Sequence, residues 1–97
     1  MIRPKDRFER NPDILHRRIK GDFILLPIHP KKETSRQFYF LDGIGDHVWE
    51  LLDGRRNCGH IVAEIASEFK VKKERIEEEV RFFLNGLVKE GLIRRLS

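Results

Sequence analysis

Cys58 and His60, two positions apart, and the further histidines His16, His29 and His47 are the side chains of this 97-residue chain best suited to nucleophilic or metal chemistry. A zinc site requires three or four ligands brought together by their spacing. The four histidines share no helical or strand interval, and the Cys58/His60 pair lacks the further ligands. Cys58 at a helix start would gain some thiolate character, but no base or orienting acid stands near it in sequence, so it reads as a small residue beside a helix cap. Gly43-Ile44-Gly45 is too short for a phosphate-cradling loop and lacks its lysine, which leaves turn geometry before a helix. These residues predict no enzyme, no metal and no cofactor.

The chemistry left to the chain is that of its main chain. In the run Gln37-Phe38-Tyr39-Phe40-Leu41, alternation places Phe38 and Phe40 on one face of a strand and Tyr39 and Leu41 on the other, so both faces are apolar. No lysine, proline or inward charge guards this strand against pairing. Such an edge offers free N–H and C=O groups to an extended peptide, which adds itself as a further strand while nearby pockets sort its side chains. The backbone of Phe38, Tyr39, Phe40 and Leu41 would form that ladder, each bond contributing on the order of 1 kcal/mol net.

Composition frames what can position this edge. With 39% hydrophobic and 37% charged residues the chain has the makings of one folded domain with a charged surface. The longest apolar run, Phe23 to Ile28, is far shorter than a membrane span, and a single cysteine suits a reducing compartment, so a cytoplasmic chain without a membrane segment is expected. Residues 1–36 carry 10 Lys/Arg against 5 Asp/Glu, whereas residues 37–97 carry 10 against 11. Residues 1–12, with Pro4 and Pro12 and no periodic apolar face, read as a flexible basic arm, and residues 13–97 as a single peptide-binding domain.

Two short strands, Ile14–Ile19 and Phe23–Ile28, flank the turn Lys20-Gly21-Asp22, and the aromatic run forms a third. After Asp42 the period changes to 3.6. Ile44, Val48, Leu51 and Leu52 form one stripe, capped by Asp42 or Gly43 and closed by Gly54. Asn57 caps a second helix bearing Ile61, Ile65, Ala66 and Phe69. A third, Glu74 to about Glu90, carries Ile76, Val80, Phe83, Leu84 and Leu87 and stops at Gly91, after which Leu92 and Ile93 return to the core. The predicted fold is α+β and winged-helix-like, a three-stranded antiparallel sheet followed by three helices, β-β-β-α-α-α.

That outline admits winged-helix DNA binding, with the third helix in the major groove. Glu74, Glu77, Glu78 and Glu79 occupy the first turns of that helix, where phosphates would be met by carboxylates, so nucleic acid is the weaker reading. On the same helix Phe82 lies off the core stripe, with Arg75, Glu79 and Gly86 on its flank. These four would contact a peptide if that flank faces the third strand, and Leu84, Arg81 and Val88 form the opposite flank. Trp49 adjoins the Val48/Leu52 stripe and belongs to the core.

The segment Phe40-Leu41-Asp42-Gly43-Ile44-Gly45-Asp46-His47-Val48-Trp49-Glu50-Leu51-Leu52-Asp53-Gly54 resembles the signature of the PqqD family, with Trp49 to Gly54 its most specific part. Ile61 to Ile65, Val80 to Leu84, Leu87 and Gly91 to Ile93 resemble the family's second and third helices. Asn11 to Leu15 and Phe23 to Leu26 fit its first strands. The resemblance covers nearly the whole chain from about residue 8. It implies a recognition element that binds the leader of a ribosomally made, later modified precursor peptide. The leader would lie against the third strand in a cleft bounded by the third helix, and be presented to a modifying enzyme, typically a radical SAM protein. The expected partners are therefore a precursor peptide and that enzyme, with the chain itself a monomer or weak homodimer.

Overall fold

The computed structural model describes residues 2–27, 39–41 and 43–96. Its strands are β1 (Arg7–Arg10), β2 (Ile14–Ile19), β3 (Asp22–Pro27), β4 (Tyr39–Leu41), β5 (Asp53–Asn57) and β6 (Ile93–Leu96), and its helices α1 (Gly45–Glu50), α2 (Cys58–Phe69) and α3 (Lys73–Lys89). The expected hairpin is present: β2 and β3 pair antiparallel from Ile14↔Pro27 to Ile19↔Asp22. Lys20 and Gly21 between them hold φ of 51° and 88°. Positive φ at both central residues is the type I′ turn, whose twist matches that of the strands it joins, and glycine takes it without Cβ strain. β4 adds antiparallel to β3 with Phe23↔Leu41 and Leu25↔Tyr39 in register, so this sheet runs β2-β3-β4.

The three helices follow the sheet as expected, with shifted ends. α1 begins one residue after Ile44, which makes no side-chain cap; Gly43 lies outside the helix, and Asp42, the other expected cap, lies outside the described residues. α1 also stops at Glu50, and Gly54, read from sequence as its stop signal, instead sits inside β5. Asn57 does cap α2: its Oδ1 accepts from the His60 N–H at 2.8 Å, while His60 Nδ1 accepts from the Asn57 N–H at 3.4 Å. Such reciprocal capping satisfies two donors that a helix start otherwise leaves open. α3 closes with Gly91 and Leu92 donating their N–H groups to the carbonyls of Val88 and Leu87, each at 3.0 Å.

A second sheet, β5-β1-β6, corrects the sequence reading. Residues 1–12, expected as a flexible arm, supply its middle strand, and Phe8 and Ile2 are buried in the core. The carbonyls of Asp6 and Pro4 accept from the N–H groups of Cys58 and Gly59 at 2.8 and 2.9 Å, so the chain start also caps α2. Arg94 pairs with Glu9 across β6 and β1, and Arg95 with Asp6 at 3.6 Å. These strands show no apolar alternation because β1 buries only Phe8, β6 only Ile93 and β5 none of its residues, with charged side chains left outside. Their partners lie more than forty residues away, beyond any local signal.

One apolar core joins both sheets and all helices, including Phe8, Phe23, Leu25, Val48, Trp49, Leu52, Ile61, Ile65, Val80, Leu84 and Leu87. Trp49 is fully buried, as its stripe predicted. Its Nε1–H donates to His16 Nδ1 at 3.3 Å, and Arg18 meets Asp46 at 2.9 Å. Thus β2 is clamped to α1 by two polar contacts.

Candidate functional site

The site begins where β4 meets the first residue of α1. A Cβ on Gly45 would stand 3.1 Å from Leu41 Cβ and 3.2 Å from Phe83 Cζ. Glycine at this position lets α1 start against both the end of β4 and the flank of α3. Leu41 and Phe83 are thereby brought side by side, each half-buried against the core.

Between them opens a groove of about 240 Å³ lined by Leu41, Phe82, Phe83, Gly86, Leu87, Leu92 and Glu90. Six of these seven residues carry no charge, so water inside the groove is poorly held and an apolar side chain would displace it favourably. On the open side of the same strand, no other strand pairs with β4 among the described residues. In an antiparallel edge strand, alternate residues turn their N–H and C=O groups away from the sheet, and Leu41 at the end of this strand lines the apolar groove. The arrangement can hold an extended chain by its backbone and one of its side chains by burial.

Phe82 is 81% exposed, too much for core packing, and lies between this groove and a neighbouring depression lined by Arg75, Glu78 and Glu79. Of the four residues expected on this flank, Phe82 and Gly86 share the groove with Leu41 of β4, whereas Arg75 and Glu79 line the neighbouring depression. The opposite flank faces elsewhere: Leu84 is fully buried, and Arg81 pairs with Glu77 at 3.0 Å beside Pro4, Cys58 and Val62. Of the expected strand residues, Tyr39 and Phe40 pair with Leu25 and Ile24 of β3, Leu41 enters the groove, and Phe38 lies outside the described residues. Phe83, Leu87 and Leu92 also line the groove, although their spacing assigned them to the core. A stripe wide enough to serve both was the available signal.

Among the described residues, the side chains with nucleophilic or metal-binding chemistry are otherwise engaged. Burial pushes the Cys58 thiol up from its ordinary range, disfavouring the thiolate that a helix start would promote. His16 stacks on Phe23, His47 meets Glu68 at 2.8 Å, and His60 belongs to the α2 cap. Among the described residues no cluster of three metal-ligating side chains occurs, and no helix is long and apolar enough to cross a membrane. Glu74, Glu78 and Glu79 are exposed on α3, an unfavourable surface for a phosphate backbone.

Architecture and groove define a small α+β domain in which a strand at the border of the described sheet lies beside a helix. The family model described as coenzyme PQQ synthesis protein D (PqqD) matches residues 25–93, and the chain belongs to this family. It is 26% identical over 86 residues to the PqqA binding protein of Gluconobacter oxydans (strain 621H), covering 89% of this chain and 82% of that protein. Its fold is similar to that of TbiB1, solved in complex with the TbiA(beta) leader peptide, with a TM-score of 0.70 and 24% identity over 88% of this chain and 93% of the other.

Proposed function

We propose that this chain binds the leader segment of a ribosomally made precursor peptide by adding it as a strand to β4, and presents the remainder to a modifying enzyme. The observation that carries this reading is the apolar groove between α3 and β4, whose outer side pairs with no other strand among the described residues. A strand edge and an adjoining apolar pocket are the two elements that strand addition needs, and Leu41 belongs to both. A relative that binds PqqA and a fold neighbour solved with a leader peptide support the same reading.

Within this reading, the backbone of Phe38, Tyr39, Phe40 and Leu41 forms the ladder, and Arg75, Glu79, Phe82 and Gly86 on α3 contact the peptide. The chain performs no chemistry of its own, and the modifying enzyme is of the radical SAM class. It works as a monomer or weak homodimer in the cytoplasm, where ribosomal peptides are made. The test is titration of the ¹⁵N-labelled chain with the leader of the precursor encoded beside it. The backbone amides of residues 39–41 shift on binding; unshifted amides at a saturating leader concentration refute strand addition.

A further inference from the structure

Gly86 stands in the closing turn of α3, where glycine is less favourable than alanine because it loses more backbone freedom on folding. Five other glycines have a reason within the fold: Gly21, Gly43, Gly54 and Gly91 hold positive φ, and a Cβ on Gly45 would meet Leu41 at 3.1 Å, while one on Gly59 would make ordinary contacts with Asn57 and Pro4 from 3.4 Å outward. Gly86 has neither reason: its φ is not positive, and a Cβ there would find nothing within 4 Å. The space above it is the apolar groove itself, shared with Leu41, Phe82, Phe83 and Leu87.

A glycine that the fold does not require, set in the wall of such a groove, is accounted for by what enters the groove. We infer that Gly86 is the specificity-determining position of the site, leaving room for one large apolar side chain, of the leucine or phenylalanine class, from the bound strand. This rests on the peptide-binding reading above and adds the identity of the anchor. The occupant follows from continuity: Leu41 belongs both to the strand edge and to the groove, so a strand laid on β4 sends alternate side chains toward α3. An apolar lining selects an uncharged one, since a charge there would be desolvated without a partner.

The experiment compares the wild type with Gly86→Ala and Gly86→Leu, using a synthetic leader of the precursor encoded beside the chain and its single-alanine derivatives. Gly86→Ala melts at the same or a higher temperature yet binds about tenfold more weakly, and Gly86→Leu about a hundredfold, as overfilling a packed site demands. A structural role alone would not raise stability while lowering affinity. One apolar leader residue, replaced by alanine, weakens binding to the wild type but scarcely changes binding to Gly86→Leu, the coupling expected of groups in contact. Wild-type affinity in both variants, with the amides of residues 39–41 still shifting, overturns the anchor and leaves strand addition standing. Shifts of the Leu41 and Leu87 methyl groups without amide shifts at 39–41 support the anchor and overturn strand addition.

Discussion

The two three-stranded sheets of this molecule differ in what holds them and what they leave open. The β5-β1-β6 sheet joins the two ends of the chain, with β1 taken from residues 7–10 and β6 from residues 93–96. It is bordered by ion pairs, Arg94 with Glu9, Arg95 with Asp6, and Arg56 with Asp53 at 2.6 Å. The β2-β3-β4 sheet is built from a local hairpin plus one strand, and its two borders are unlike. The β2 border carries His16, Arg17 and Arg18, the first and last of them tied to α1, whereas the described β4 border reads Tyr39-Phe40-Leu41. Charge along one border discourages pairing, and its absence along the other permits it. One sheet fastens the domain, and one border of the other sheet receives a guest.

Removing the fastening has the largest expected effect. Phe8 is fully buried between β1 and the helices, and Phe8→Ala should lower unfolding stability by about 3–5 kcal/mol in denaturant titrations, the cost of a large core cavity. A loss below about 1 kcal/mol would show that the β5-β1-β6 sheet is peripheral to the fold. Where this variant stays folded, its leader affinity should match the wild type.

Next in size is a change at the receiving border. Leu41→Lys places on β4 the kind of charge that guards β2, and removes an apolar wall of the groove. Leader affinity should fall about a hundredfold, roughly 2.7 kcal/mol, with less loss of folding stability than Phe8→Ala because Leu41 is only half-buried. Arg17→Ala on the β2 border should leave affinity within about twofold by calorimetry, as a surface charge remote from the contact does. Equal losses at both borders would abolish the distinction between them.

The smallest effect concerns acid. The Arg3 backbone N–H, bonded to Asp6 Oδ2 at 2.8 Å, with Arg95 and Arg3 nearby, holds the Asp6 carboxyl below the usual carboxylate range despite its burial. Because the folded value is depressed, the stabilisation is complete above the unfolded value near pH 4 and disappears as pH falls through the folded one. Wild-type melting temperature should therefore decline below about pH 4, and Asp6→Asn should flatten that decline. An unchanged acid profile in Asp6→Asn would separate this carboxylate from the fastening of the termini.

The hairpin was legible because its signals are local: two short strand-like runs flanking the turn at Lys20-Gly21-Asp22. The helices were legible because Trp49, Ile61, Ile65, Val80 and Leu87 recur at helical spacing, and Asn57 announced the start of α2. The exposed Phe82 stood out as surplus to its stripe. By contrast, β5 reads Asp-Gly-Arg-Arg-Asn, a turn-like string, and it is a strand because β1 lies beside it. Phe83 and Leu87 were read as core alone, since no spacing rule reports that a half-buried side chain has one wall open.

By itself, then, the sequence determined the secondary elements with short-range periodicity, the unguarded character of Tyr39-Phe40-Leu41, and the family signature from Phe40 to Gly54. Only the tertiary structure decided that Ile2 and Phe8 belong to the core, that Phe82 and Gly86 of α3 share a groove with Leu41 of β4, and that Gly86 opens onto it. Periodicity is a property of neighbours along the chain, whereas strand partners and cavities depend on distant segments meeting, and their contact energies enter only when the chain has closed upon itself.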